Sequence, residues 1–191
     1  NQSTPTTATL WTVASYTPVV VNSTATPAVA NLPFGNTVLP DGATCPPPNG
    51  QAGGANSFAL VNFTSTTGNN TISNWLISPL VTVQNGDIVT FYTRLGKIPG
   101  SAGAQFPDRL QLRMSTSATT TNPSTGATDV GSFTVLLSEV NPTLVTGVYP
   151  QVWTQYTATI SGLSAPTAVK FGFRYFVTSG GPSGANSDII G

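Results

Sequence analysis

Histidine is missing from all 191 residues, cysteine and methionine occur once each, and charged side chains make up only 6% of the chain. The first absence removes the most chemistry. Without imidazole there is no Ser-His-Asp triad, no Cys-His pair and no His-based metal site. A hydrolase would have to work with carboxylates, and these are Asp41, Asp87, Asp108, Asp129, Asp188 and Glu139, no two of them close in sequence. A retaining glycosidase needs only that two carboxyls meet ~5 Å apart in space. A carboxylate glycosidase or lyase is therefore the enzyme class left standing, and the expected function is non-catalytic.

The scarcity of charge excludes more. Six basic residues balance six acidic ones, and the basic ones, Arg94, Lys97, Arg109, Arg113, Lys170 and Arg174, are scattered. Nucleic-acid binding needs clustered cations that release counterions, so no nucleic-acid partner is expected. No run approaches the roughly 20 apolar residues that span a bilayer, which argues against membrane insertion. Cys45, in the turn-like run Cys45-Pro46-Pro47-Pro48-Asn49-Gly50, has no partner for an internal disulfide; it is a tolerated thiol or a link to another chain. The start at Asn1, without Met or a signal peptide, suggests a processed mature protein. Asn1, Asn22, Asn62 and Asn69 open N-x-Ser/Thr sequons, which a chain so rich in Asn, Ser and Thr produces incidentally.

Hydrophobic residues reach 39%, and nine Phe, five Tyr and three Trp supply bulk for a core. No stretch of twelve or more residues has the three-and-four spacing of a helix; period two dominates instead. Val89, Phe91, Thr93 and Leu95 share one face of a strand over 87–95, with Ile88, Thr90, Tyr92 and Arg94 on the other, the pattern of a well-covered central strand. Leu110, Leu112 and Met114 alternate with Arg109, Gln111 and Arg113, a strand with one wet face. Over 132–140 the inward set is Phe133, Val135 and Leu137; over 152–160 it is Val152, Tyr156 and Ile160. Over 168–177, Val169, Phe171, Phe173 and Tyr175 point in and Lys170, Gly172 and Arg174 out. Earlier strands are read over 57–63 and 75–83, the second broken by Pro79, which cannot donate a ladder hydrogen bond. Asn85-Gly86 is a tight-turn signal. Strands at this spacing without helical crossovers predict an all-β fold, an antiparallel two-sheet sandwich of jelly-roll type. It is assigned to residues 41–191. Residues 1–40 carry no charge, are rich in Thr, Val and Pro, and form an extension or extra strands.

Asn74-Trp75-Leu76-Ile77-Ser78-Pro79-Leu80 and the strand over 87–95 resemble the start of the choice-of-anchor J domain, related to the cleaved-adhesin group. Phe106-Pro107-Asp108-Arg109-Leu110, Thr134-Val135-Leu136-Leu137, Trp153-Thr154-Gln155-Tyr156, Phe171-Gly172-Phe173-Arg174-Tyr175 and Ser187-Asp188-Ile189-Ile190-Gly191 follow in that family's order, so the likeness covers roughly residues 58–191. The resemblance implies a jelly-roll domain of exported bacterial proteins, adhesive or carbohydrate-binding, with no shared catalytic machinery. Members of that family usually continue past the Ile-Gly with a further Asp-containing stretch, where this chain stops; the last strand is expected to be short, cleaved off or supplied by a neighbour.

Four residues are candidate ligand contacts. Trp153, opposite Val152 and Tyr156 in its strand, and Tyr92 offer exposed aromatic faces for a sugar. Asp108 and Arg109 could orient a sugar hydroxyl or, with Asp41 and Asp188, hold calcium, although a local charge pair or turn cap explains them as well. No cofactor is expected; calcium is the one ion considered. Trp75 reads as core or interface. Self-assembly is expected through Leu10, Trp11, Val13, Val19, Val20 and Val21, which could add as a strand to a neighbouring sandwich, and zero net charge lets copies pack closely. The expected partners are copies of the same chain, in a filament or surface layer, or surface glycans. The expected location is secreted, extracellular or on the bacterial cell surface.

Overall fold

The computed structural model describes residues 20–22, 50–52, 58–59, 61–96, 105–117, 119–123 and 126–191. Ten strands run in chain order: β1 Val20–Asn22, β2 Val61–Asn62, β3 Asn70–Ile77, β4 Val81–Val83, β5 Ile88–Thr93, β6 Leu110–Ser115, β7 Val135–Val140, β8 Thr154–Thr159, β9 Thr167–Gly180 and β10 Ile189–Ile190. A 3₁₀ turn, Phe63–Ser65, is capped by the Asn62 side chain. Among the described residues there is no α-helix, as the missing helical period requires, and no helix long and apolar enough to cross a membrane.

All strand pairs are antiparallel. The large sheet has the order β1-β3-β9-β6-β7, with β4 also pairing with β9. β3 and β4 lie in succession along one side of β9, at Gly172–Gly180 and Thr167–Val169, and Pro79 falls in the gap between them. The predicted break at Pro79 is thus where the ladder is interrupted. The facing layer is thinner: β5 pairs with β8, β10 with β2, and a bridge from Leu95 to Ile190 ties the two pairs together. Val89, Phe91, Ala158 and Ile160 of this layer meet Leu112, Met114, Val169, Phe171 and Tyr175 of the large sheet in one apolar core. The result is an all-β, two-layer antiparallel sandwich.

Asn85-Gly86 does form a turn. It joins β4 to β5, which belong to different layers, so it turns a corner instead of closing a hairpin. Asp87 tightens it, its carboxylate accepting from the Gln84 N–H at 2.9 Å.

Four readings of the strands need correction. β5 is not a covered central strand: Ile88, Thr90 and Tyr92 face solvent, and β8 is its only ladder partner among the described residues. Val152 is 57% exposed because β8 begins two residues later, at Thr154. Val135 points outward, and Phe133 is buried outside any strand. The wet face expected for β6 is covered, because the loop bearing Phe133 folds across the outer surface of the large sheet. There Trp75, Ile77 and Phe133 form a second small core, and Gln111 and Arg174 are almost fully buried beside it.

Gly181 follows β9 with φ +89, and a Cβ there would lie 2.5 Å from the Gly68 carbonyl oxygen. Both conditions exclude a side chain. Gly181→Ala is expected to destabilise the fold by about 1–3 kcal/mol, the usual cost of a strained backbone position, read as a lower urea midpoint.

Candidate functional site

The thinness of the second layer leaves a recess between it and the large sheet. β3 alternates strictly: Ser73, Trp75 and Ile77 go to the outer face, while Ile72, Asn74 and Leu76 turn inward. Ile72 joins the core, and Asn74 and Leu76 line the recess, with Phe173 and Tyr175 of β9 beside them. Phe91, Tyr92 and Thr93 of β5 and Ile190 and Gly191 form one wall; Phe58, Ala59 and Val61 form another. The cavity holds about 370 Å³. Trp153 stands half-buried at its mouth, edge-on to Phe58 at 5.5 Å. Tyr92 is 38% exposed, and its hydroxyl bonds to the Gln155 side chain at 2.9 Å.

Asn74 is the unusual member. It is only 2% exposed, yet neither its Nδ2 nor its Oδ1 has a hydrogen-bond partner. A buried amide with both ends unsatisfied is costly unless something binds it. The walls around it are almost wholly apolar.

A second recess continues from the first. It shares Phe91 and Phe173 and runs past Val89 and Ile88 to Val81 and Val83 of β4. Together the two recesses are lined by every residue of β5, whose other side faces away from β8. Along Ile88–Thr93 that side has no strand partner among the described residues; pairing resumes only at Arg94, whose N–H and C=O bond to Gly191. Leu80, Val81 and Ile88 add exposed apolar surface at the far end.

Of the four ligand residues expected from sequence, the structure brings Trp153 and Tyr92 into this one cavity. Asp108 and Arg109 lie elsewhere. Asp108 is fully buried; its Oδ1 accepts from the Tyr175 hydroxyl and from the Asp188 N–H, the latter at 2.9 Å, and it fastens the start of β6 to the start of β10. Burial raises its carboxyl from 3.8 to about 7, against the opposing pull of those two hydrogen bonds. No solvent-borne sugar can touch it. Arg109 lies 4.2 Å over the Phe176 ring and donates to the Phe176 and Pro142 carbonyls, with Glu139 at 3.9 Å. It belongs to a packed outer-face ladder in which Arg174 stacks on the same ring at 3.7 Å. Burial, and then repulsion from Arg113 and Arg109, lowers Arg174 to about 10. No group of three or more acidic or thiol side chains that could hold a metal occurs among the described residues.

Of the residues expected to mediate self-assembly, Leu10, Trp11, Val13 and Val19 lie outside the described residues, as does Cys45. Val20 and Val21 lie in β1, which pairs with Leu76 to Asn74 on the edge of its own large sheet. Among the cavity residues that sequence reasoning missed are Asn74, Phe58, Phe173 and Tyr175, drawn from three separate stretches of chain. No family model, curated protein or solved structure matches this chain.

Proposed function

We propose that this chain is a non-catalytic structural or adhesive module of the bacterial cell exterior, a jelly-roll subunit that associates with copies of itself by strand addition. The observation that carries the reading is the unpaired edge of β5 running beside an apolar groove. An open strand edge is a template for pairing with another chain, and here the side chains of an added strand would find apolar recesses below them, the combination used in β-augmentation. The absence of net charge removes the repulsion that would oppose close packing of copies. The ordered motifs that resemble the choice-of-anchor J domain support an exported, adhesive role and the jelly-roll arrangement.

The test is native size. Light scattering and negative-stain microscopy of the full chain are expected to show assemblies far larger than the 19.6 kDa of one chain, and removal of residues 1–30 is expected to leave single chains. Assembly that persists without those residues would rule out strand donation. A monodisperse single chain that instead gives glycan-array signals abolished by Trp153→Ala would make the cavity a carbohydrate site.

A further inference from the structure

The unsatisfied Asn74 amide identifies what the cavity is built to read. A carboxamide offers a donor and an acceptor side by side, and with both unpaired it matches a group that presents an acceptor and a donor in return. A peptide unit of an extended chain does so. An incoming strand beside β5 would place its backbone between two readers: the open N–H and C=O groups of Ile88–Thr93 on one side and the Asn74 amide on the cavity floor. Its alternate side chains would drop into the apolar space against Leu76 and Phe173.

Resting on the strand-addition reading, we infer that this groove is the acceptor site for the segment ahead of β1 in a second copy, the segment that carries Leu10, Trp11 and Val13. Two observations select that occupant. The first recess is lined by no charged side chain and the second by Asp87 alone, whose carboxylate already accepts from the Gln84 N–H; the first forty residues carry no charge, so the occupant brings no ion into an apolar recess. The direction of β1 favours a second copy over the same one. Val20 pairs with Leu76 and Asn22 with Asn74, so β1 runs from the Leu76 end toward Asn74, and its first residue is the one farther from Asn74. A donor on one face and an acceptor on another make a head-to-tail contact, which propagates into a filament unless its rotation closes a ring.

The experiment uses full-length chains with one half of the contact broken. Leu10→Asp with Val13→Asp spoils the donor and leaves the groove intact. Ala59→Arg plugs the groove from its half-buried rim and leaves the donor intact. Each alone is expected to scatter as a single chain, and an equimolar mixture as a two-chain complex that grows no further. Should Ala59→Arg fail to fold by circular dichroism, Asn74→Leu replaces it: similar in volume but without the amide, it is expected to raise the concentration for half-assembly about tenfold, the worth of one to two lost hydrogen bonds. Groove variants that assemble like the parent chain would overturn this acceptor site while leaving self-association standing. A parent chain that stays single at every concentration would overturn the strand-addition reading itself.

Discussion

Between pH 4 and pH 8 the protein is expected to lose about 4 kcal/mol of stability, and Asp108→Asn to abolish most of that loss. The folded chain holds the Asp108 carboxyl at about 7 against 3.8 for the free group, with burial as the leading cause. The difference is about three pH units, at roughly 1.4 kcal/mol for each. The sign follows from proton binding. Across this window the folded state keeps a proton that the unfolded state releases, so rising pH favours unfolding. The effect is small near pH 4 and complete once the pH exceeds 7. Oδ1 already receives the Tyr175 hydroxyl and the Asp188 N–H, so the proton resides on Oδ2, which has no partner. Asparagine keeps the accepting oxygen and cannot ionise. Urea titrations at pH 4, 6 and 8 should therefore give a falling series for the parent chain and a nearly flat one for Asp108→Asn, with the variant the more stable at pH 8. Parallel slopes would show that Asp108 does not carry the dependence.

Trp75→Ala is expected to cost about 3–5 kcal/mol, the range for deleting a large buried aromatic. Trp75 is fully buried on the outer face of the large sheet, 5.4 Å from Phe133 and 5.3 Å from the Arg174 guanidinium, and its indole N–H donates to Ser73. The site was cleared for it by Gly172, where a Cβ would sit 3.0 Å from the indole ring. Truncation would leave a void that Gly172 cannot fill, and would take the aromatic lid from a guanidinium already held well out of water. The Ser73 hydroxyl still receives Arg174 Nε at 3.0 Å, so most of the loss is packing. Equilibrium unfolding measures it directly; a loss below about 1 kcal/mol would mean that the loop bearing Phe133 contributes little to the folded state.

The layer class was legible because period two survives in β6 and β9, whose inward residues Leu110, Leu112, Met114, Val169, Phe171 and Tyr175 are all buried. What defeated the reading was coverage from outside the strands. The Arg and Gln side chains of the supposed wet face look solvent-bound in sequence, yet Arg174 and Gln111 are buried by a loop about twenty residues after β6, which no local pattern announces. β5 failed in the opposite sense. Ile88 and Tyr92 look like a second buried face, and they remain exposed because no further layer among the described residues lies over them. Trp153 and Tyr92 were found because a large aromatic out of phase with its buried neighbours is a local signal. Asn74 offered none: an asparagine in a strand is ordinary until its surroundings are known, and the Phe and Tyr residues around it come from positions more than a hundred apart.

The length and position of β9 bear on how the chain reaches this fold. β9 is the common neighbour of β3, β4 and β6, so the large sheet has no centre until residues 167–180 are available. β3 finds its partner about a hundred positions downstream, and β2 waits for β10 at the far end of the chain. Closing such long loops costs entropy before any pairing repays it, which places the protein among slow folders, in the range of about milliseconds to seconds. Until the last quarter is synthesised, β1–β3 and β6–β7 can exist only as separate pairs, each with an open edge where β9 will join them.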